Sequence, residues 1–263
     1  MTQDIQDLQN PSKQQGPRSP IVLVHGWGFS AQVLTPLAAA IHGHPDQTHL
    51  AELPGYGTRY NEPSPAHIHE IASLLVQSYP HPSVWLGWSL GGLLALYIAQ
   101  RWPERVTGLI LIGATPRFSV APDWPHGTDP NVLENFAGHL AVDRAGTLQR
   151  FAHMQLAENP GEKRFYAQLA HHLANEHVAN LTTLQSGLGL LRTVDLRGTL
   201  AQINTPTLLL HGESDRVVNI GASEVMEQTL PNARLVRFPA CGHVPFITEK
   251  GPCVAAITEF LRE

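Results

Sequence analysis

The pentapeptide Gly87-Trp88-Ser89-Leu90-Gly91 sets a serine between glycines two residues away on either side. A serine on a sharp strand-to-helix turn, with small neighbours that let backbone pack against it, is a nucleophile lifted clear of its sheet. The chemistry suited to it is attack on an acyl carbon. A hydroxyl is a weak nucleophile without an adjacent base, so the fold must bring a histidine to Ser89. Fifteen histidines are present. His243, in Ala240-Cys241-Gly242-His243-Val244-Pro245-Phe246, lies between the last strand pattern and the last helix pattern and is the candidate base. His171, His172 and His177 fall in a helical stretch, and His42, His44, His67 and His69 in polar connections. No cysteine or carboxylate cluster completes a ligand set around them, so neither metal nor other cofactor is expected.

The third member should be a buried carboxylate that fixes the imidazole tautomer and stabilises its protonated form. Asp215, in His211-Gly212-Glu213-Ser214-Asp215-Arg216-Val217-Val218, follows the apolar run Thr207–Leu210. It yields the chain order serine, acid, histidine that accompanies a serine elbow of this kind. Asp195 and Glu213 are the rivals. Asp195 ends the helical stretch, where a helix-cap role is the plainer account, and Glu213 can simply face solvent. A tetrahedral oxyanion needs two amide donors. Candidates are the N–H of Leu90, just after the serine, and that of Trp27, in His25-Gly26-Trp27-Gly28.

The elements that must position these residues show as short aliphatic runs bounded by glycine, the pattern of buried parallel strands. They are Ile21–Val24, Val84–Gly87, Leu109–Ile112 and Thr207–Leu210, with a weaker one at Leu235–Phe238. Helical patterns lie between them, clearest over Leu90–Trp102 and Val254–Leu261. Alternating strands and helices imply right-handed crossovers and a mostly parallel sheet. From Phe118 to Thr193 there is only helical periodicity, broken by prolines. That stretch is expected to be a lid over the strand ends, where open α/β sheets bind ligands. The expected division is a leader at 1–18, a core at 19–117, the lid at 118–193 and the rest of the core at 194–263.

Composition agrees with one globular α/β domain: 263 residues, 43% hydrophobic, 15% charged, with a net charge of −5. That balance argues against a general nucleic-acid binder. The polar first residues are not a signal peptide and no apolar stretch is long enough to span a bilayer, so a cytoplasmic location is expected. Two cysteines, Cys241 and Cys253, make a disulfide framework unexpected. Cys241 is expected to be a small buried residue packing the histidine loop.

With these residues in hand, the chain resembles the α/β-hydrolase superfamily, and within it the pimeloyl-[acyl-carrier protein] methyl ester esterases of biotin synthesis. The resemblance rests on Val24-His25-Gly26-Trp27-Gly28, Leu53-Pro54-Gly55-Tyr56-Gly57 and Trp85–Gly92. It continues through Arg101-Trp102-Pro103-Glu104-Arg105-Val106, Arg150-Phe151 with Gln155, and Arg192-Thr193-Val194-Asp195-Leu196-Arg197. It implies a serine carboxylesterase that frees the terminal carboxylate of pimeloyl chains borne on acyl-carrier protein; separately, no membrane partner and a monomeric state are expected. Trp27, Ser89, Leu90, His243 and the lid segment Phe151, Ala152, His153, Met154 and Gln155 would line the acyl site. Arg144, Arg150, Lys163 and Arg164 would offer the acidic carrier a basic surface. A general short-chain carboxylesterase and a non-catalytic ligand-binding member are the alternatives.

Overall fold

A computed structural model describes residues 19–41, 47–158, 161–174 and 178–263. The leader at 1–18 and His42, His44 and His177 lie outside the described residues. Six strands form one sheet: β1 (Ile21–Val24), β2 (Thr48–Ala51), β3 (Ser83–Trp88), β4 (Val106–Ile112), β5 (Thr207–Gly212) and β6 (Ala233–Phe238). Their spatial order is β2-β1-β3-β4-β5-β6, and every neighbouring pair is parallel. β1, β3 and β5 are buried along their whole length, as expected of strands covered on both faces. β2 has no counterpart among the aliphatic runs. Thr48-His49-Leu50-Ala51 is a half-buried edge strand, so its sequence carries no continuous apolar signal.

Ten α-helices are present among the described residues. In order they are α1 (Thr35–Ala38), α2 (Ile68–Ser78), α3 (Leu90–Arg101), α4 (Pro130–Val142) and α5 (Arg144–Met154). Then come α6 (Tyr166–Ala174), α7 (Leu181–Thr193), α8 (Gly221–Thr229), α9 (Pro245–Thr248) and α10 (Lys250–Phe260). No helix among the described residues is long and apolar enough to cross a membrane.

Strand order reverses at β1, whose chain continues to β2 on one side while β3 lies on the other. The crevice at the C-terminal ends of β1 and β3 is therefore the switch point where ligands bind in open α/β sheets. Trp27 follows β1 and Ser89 follows β3, one on each side of that crevice.

Helices α4 to α7 all lie between β4 and β5. Their starts are written locally. Asp129 accepts from Asn131 N–H at 2.8 Å ahead of Pro130, Asp143 from Gly146 N–H at 2.9 Å, and Asn180 from Thr183 N–H at 2.9 Å. Such caps are worth about 1 kcal/mol each. The two stems of this insertion meet in an antiparallel bridge, Arg117 to Asp195. Asp195 pairs with Arg117 at 2.5 Å and Arg197 at 2.9 Å, and also accepts from Arg197 N–H at 3.2 Å. The guanidiniums beside it hold its carboxyl well below the usual range, against the opposing effect of partial burial.

Candidate active site

Ser89 sits between β3 and α3 with φ +56° and ψ −115°, a conformation that costs a non-glycine residue about 1–3 kcal/mol. The surroundings overdetermine it. Its N–H donates to Ile112 O at 2.9 Å on β4, and its carbonyl accepts from Gly92 and Leu93 at 2.9 and 3.1 Å. The flanking glycines are needed for close approach: a Cβ on Gly87 would strike the Gly91 backbone, and one on Gly91 the Val24 carbonyl of β1. Leu90 opens α3, so its N–H is among the first-turn amides that have no partner within the helix. The positive end of α3 is thereby directed at the serine. On the facing loop, Gly28 takes φ +81° just after Trp27.

His243 and Asp215 meet on the loops after β6 and β5. His243 Nδ1 stands 2.6 Å from Asp215 Oδ2, and both side chains are fully buried. A carboxylate only accepts, so Nδ1 donates and the lone pair of the neutral ring lies on Nε2. Nε2 is buried without a hydrogen-bond partner, which makes it the nitrogen able to take a proton. Asp215 Oδ1 accepts from the N–H groups of Val217 and Val218 at 2.8 and 2.9 Å. Burial alone would raise the Asp215 pKa. The charge and hydrogen bonds of His243 and His211 more than offset it and hold the carboxyl well below the usual range.

Neighbouring groups set the imidazole beside the serine elbow. Trp88, adjacent to Ser89, donates its indole N–H to His243 O at 3.0 Å, with the rings 5.6 Å apart. Gly113, at φ +51°, follows the Ile112 that holds Ser89. A Cβ there would stand 2.9 Å from His243 Nδ1, so glycine is required. His243 N–H donates to Gln155 O at 2.7 Å, and Gly242 N–H to the buried Glu162 at 3.3 Å. Glu162 also accepts from Ala157 N–H, tying the end of α5 to the histidine loop.

Ser89 opens into an apolar cavity of about 140 Å³ whose wall includes Trp27, Phe118, Val132, Phe136, Phe151 and Met154. Trp27 makes edge contacts with Phe151 at 5.0 Å and Phe136 at 5.6 Å. Its indole N–H donates to Leu184 O of α7 at 2.9 Å, linking the loop after β1 to the insertion. Arg216 borders this cavity and also a larger open groove beside it, where it pairs with Glu158 at 2.7 Å.

The sequence-named residues divide accordingly. Trp27, Ser89, Phe151 and Met154 border the cavity, whereas Leu90 and Ala152 are packed inside the protein. Gln155 is buried against the histidine loop, and His153 lies in the outer groove, stacked on Tyr166 at 3.9 Å. Of the rival acids, Glu213 is exposed and Asp195 is engaged at the base of the insertion. Arg150, Lys163 and Arg164 are exposed, while Arg144 is half-buried and donates to Ala179 O at 2.5 Å. Cys241 and Cys253 are both buried and free. Among the described residues no cluster of three histidine, cysteine or carboxylate side chains could hold a metal ion.

Three contributors had not been singled out from the sequence: Gly113, His211 and Glu162. Gly113 carried a weak signal, a glycine ending an aliphatic run; the other two carried none beyond their proximity to chosen residues.

Together the geometry offers a strained serine at the N-terminus of α3 bordering an apolar cavity, and an imidazole with a free Nε2 fixed by a buried carboxylate. That is equipment for acyl transfer to water through a covalent intermediate.

The profile of the alpha/beta hydrolase fold matches residues 19–250. The pimeloyl-[acyl-carrier protein] methyl ester esterase of Stenotrophomonas maltophilia is 35% identical over 243 residues, covering 92% of each chain. That of Nitrosomonas europaea is also 35% identical, covering 87% of this chain and 90% of its own. Among solved structures, an esterase from Exiguobacterium antarcticum superposes with a TM-score of 0.81 at 25% identity, over 93% of this chain and 92% of that one.

Proposed function

From the premise that this chain belongs to the α/β-hydrolase fold family and is a carboxylic ester hydrolase, we propose that it cleaves the methyl ester of pimeloyl-[acyl-carrier protein] in biotin synthesis. The observation that carries the substrate is the extended likeness to esterases of that name. The observation that carries the chemistry is the 2.6 Å Asp215–His243 pair beside Ser89.

In the mechanism, His243 Nε2 takes the Ser89 proton as Oγ attacks the ester carbonyl. The amides of Leu90 and Trp27 hold the oxyanion, and Asp215 stabilises the imidazolium. Collapse expels methanol, which receives its proton from His243. Water then repeats the sequence on the acyl-enzyme, freeing the carboxylate and restoring Ser89. The helical insertion acts as the lid. Trp27, Phe151 and Met154 contact the pimeloyl methylenes, each buried CH₂ contributing about 0.8 kcal/mol. Exposed Arg150, Lys163 and Arg164, with Arg144 nearby, face the acidic carrier and steer its encounter more than they set affinity.

The test compares hydrolysis of pimeloyl-carrier-protein methyl ester with p-nitrophenyl butyrate, for the parent and Ser89→Ala. The expected result is a strong preference for the carrier-linked ester and a loss of roughly 10⁶-fold in kcat in the variant. Turnover of the small ester alone would reject the biotin role and leave a general esterase. Full activity of Ser89→Ala would reject the mechanism.

A further inference from the structure

The acid of the site is shared. Asp215 Oδ2 receives His243 Nδ1–H, and the same oxygen lies 3.3 Å from Nε2 of a second histidine, His211, at the end of β5. His211 is fully buried, and all its polar contacts are internal. Nε2 is 2.9 Å from Val218 O, and Nδ1 is 2.7 Å from the hydroxyl of buried Ser223 on α8. A carbonyl and a carboxylate both only accept, so Nε2 must carry the proton, donated to Val218 O at 2.9 Å with Asp215 Oδ2 3.3 Å away. In the neutral ring Nδ1 then accepts, and Ser223 Oγ–H donates to it.

We propose that His211 is a positioning residue for the acid: Ser223 fixes its tautomer, and its Nε2–H draws on the Asp215 carboxylate that would otherwise act on His243 alone. The inference rests on the serine-hydrolase reading above and adds a role that the reaction itself does not require. Sharing has a direction. A carboxylate that also faces His211 N–H stabilises the His243 imidazolium less than one committed to His243. Removing the His211 donor would leave the carboxylate committed to His243 and strengthen its hold on the imidazolium. The buried ring also stands 3.3 Å from the Oδ2 that His243 Nδ1 uses.

The other titratable groups around the pair are differently engaged. His243 is the base itself. Burial pushes the Cys241 thiol up to about 12, which keeps it neutral. Glu162 accepts from the N–H groups of Gly242 and Ala157, and Arg216 pairs with Glu158. Glu249, which also acts on Cys241, precedes α10, and His126 packs against Gly221 at the start of α8.

The experiment is the pH profile of kcat/KM on p-nitrophenyl butyrate for the parent, His211→Phe, His211→Gln and Ser223→Ala, each checked for folding by circular dichroism. In His211→Phe the ring shape remains and the donor is lost. Its acid limb is expected to move up by about half a unit to one unit, with kcat about tenfold lower and KM little changed. Glutamine, which restores an N–H donor, should bring the limb back towards the parent. Ser223→Ala keeps the histidine and its packing, and should move the limb the same way by a smaller step, so the test stands even if His211→Phe does not fold. Superimposable acid limbs in the folded variants, or equal losses in the phenylalanine and glutamine variants, would overturn the role. Since the parent and Ser89→Ala are measured alongside, a failure of the hydrolase reading would show separately as an inactive parent or an active serine variant.

Discussion

The loops that carry Asp215 and His243 and the helices α4 to α7 inserted between β4 and β5 are held in different ways. In the loops, position is set by directional bonds. Each Asp215 oxygen has two polar neighbours, and the backbone of His243 is held at its N–H by Gln155 and at its carbonyl by Trp88. Over the cavity, the insertion presents aromatic and aliphatic side chains whose attraction to a ligand is non-directional. Chemistry tolerates displacements of only about 0.5 Å, whereas an acyl chain needs only an apolar volume of suitable shape. The two regions are not independent. Gln155, Glu162 and Leu184 of the insertion each bond to a loop that bears a proposed catalytic group.

If the loops govern rate and the insertion governs binding, substitutions in the two should separate kcat from KM. The largest effect after loss of Ser89 itself is expected for Gly113→Ala. Its Cβ would stand 2.9 Å from His243 Nδ1 on a backbone already at φ +51°. Steady-state kinetics should show kcat lower by about 10- to 100-fold with KM nearly unchanged, as for a misplaced reacting group. A rise in KM alone would break the comparison.

Phe151→Ala tests the other half. Removing a ring from the cavity wall takes away contact made equally by bound ester and transition state. KM for a long-chain ester should rise roughly tenfold while kcat changes by less than about threefold. The effect should shrink on p-nitrophenyl acetate, whose acyl group leaves most of the cavity empty. A kcat loss as large as that of Gly113→Ala would mean that the insertion positions the reacting groups as directly as the loops do.

The smallest expected effect is on acid stability. The folded Asp215 carboxyl titrates below the ~3.9 of an unfolded aspartate. Its ionised form therefore contributes stability above about pH 4, and that contribution is lost as pH falls towards the folded value. Thermal melts of the parent and Asp215→Asn between pH 7 and pH 3 should differ by a constant amount down to about pH 4 and begin to narrow below it. A difference in Tm that does not narrow below about pH 4 would assign the contribution to some other group.

Much of the frame was legible from sequence. The aliphatic runs at Ile21–Val24, Leu109–Ile112 and Thr207–Leu210 fall within β1, β4 and β5, and the helical run from Leu90 is α3. β2 escaped notice because a half-buried edge strand has no need of an apolar run. The site was legible unevenly. Ser89 was marked by its own neighbours, but Asp215 and Glu213 differ by two positions in one loop, and nothing local says which turns inward. Asp195 was expected to cap a helix; it instead joins Arg117 and Arg197 at the stems of the insertion and accepts the backbone N–H of Arg197, a turn stabilised across 78 residues of chain.

The sequence alone determined the alternation of strand and helix, the glycine-flanked elbow at Ser89 and the helical character of the insertion. Each of these is set by side-chain periodicity and by backbone freedom at neighbouring positions. Tertiary structure alone decided which histidine and which acid are buried together, that His211 lies against the same carboxylate, and which residues of the insertion border the cavity. Those outcomes depend on groups far apart in the chain being withdrawn from water into one place. There, an unpartnered charge is costly and a hydrogen bond between residues 215 and 243 becomes worth its geometry.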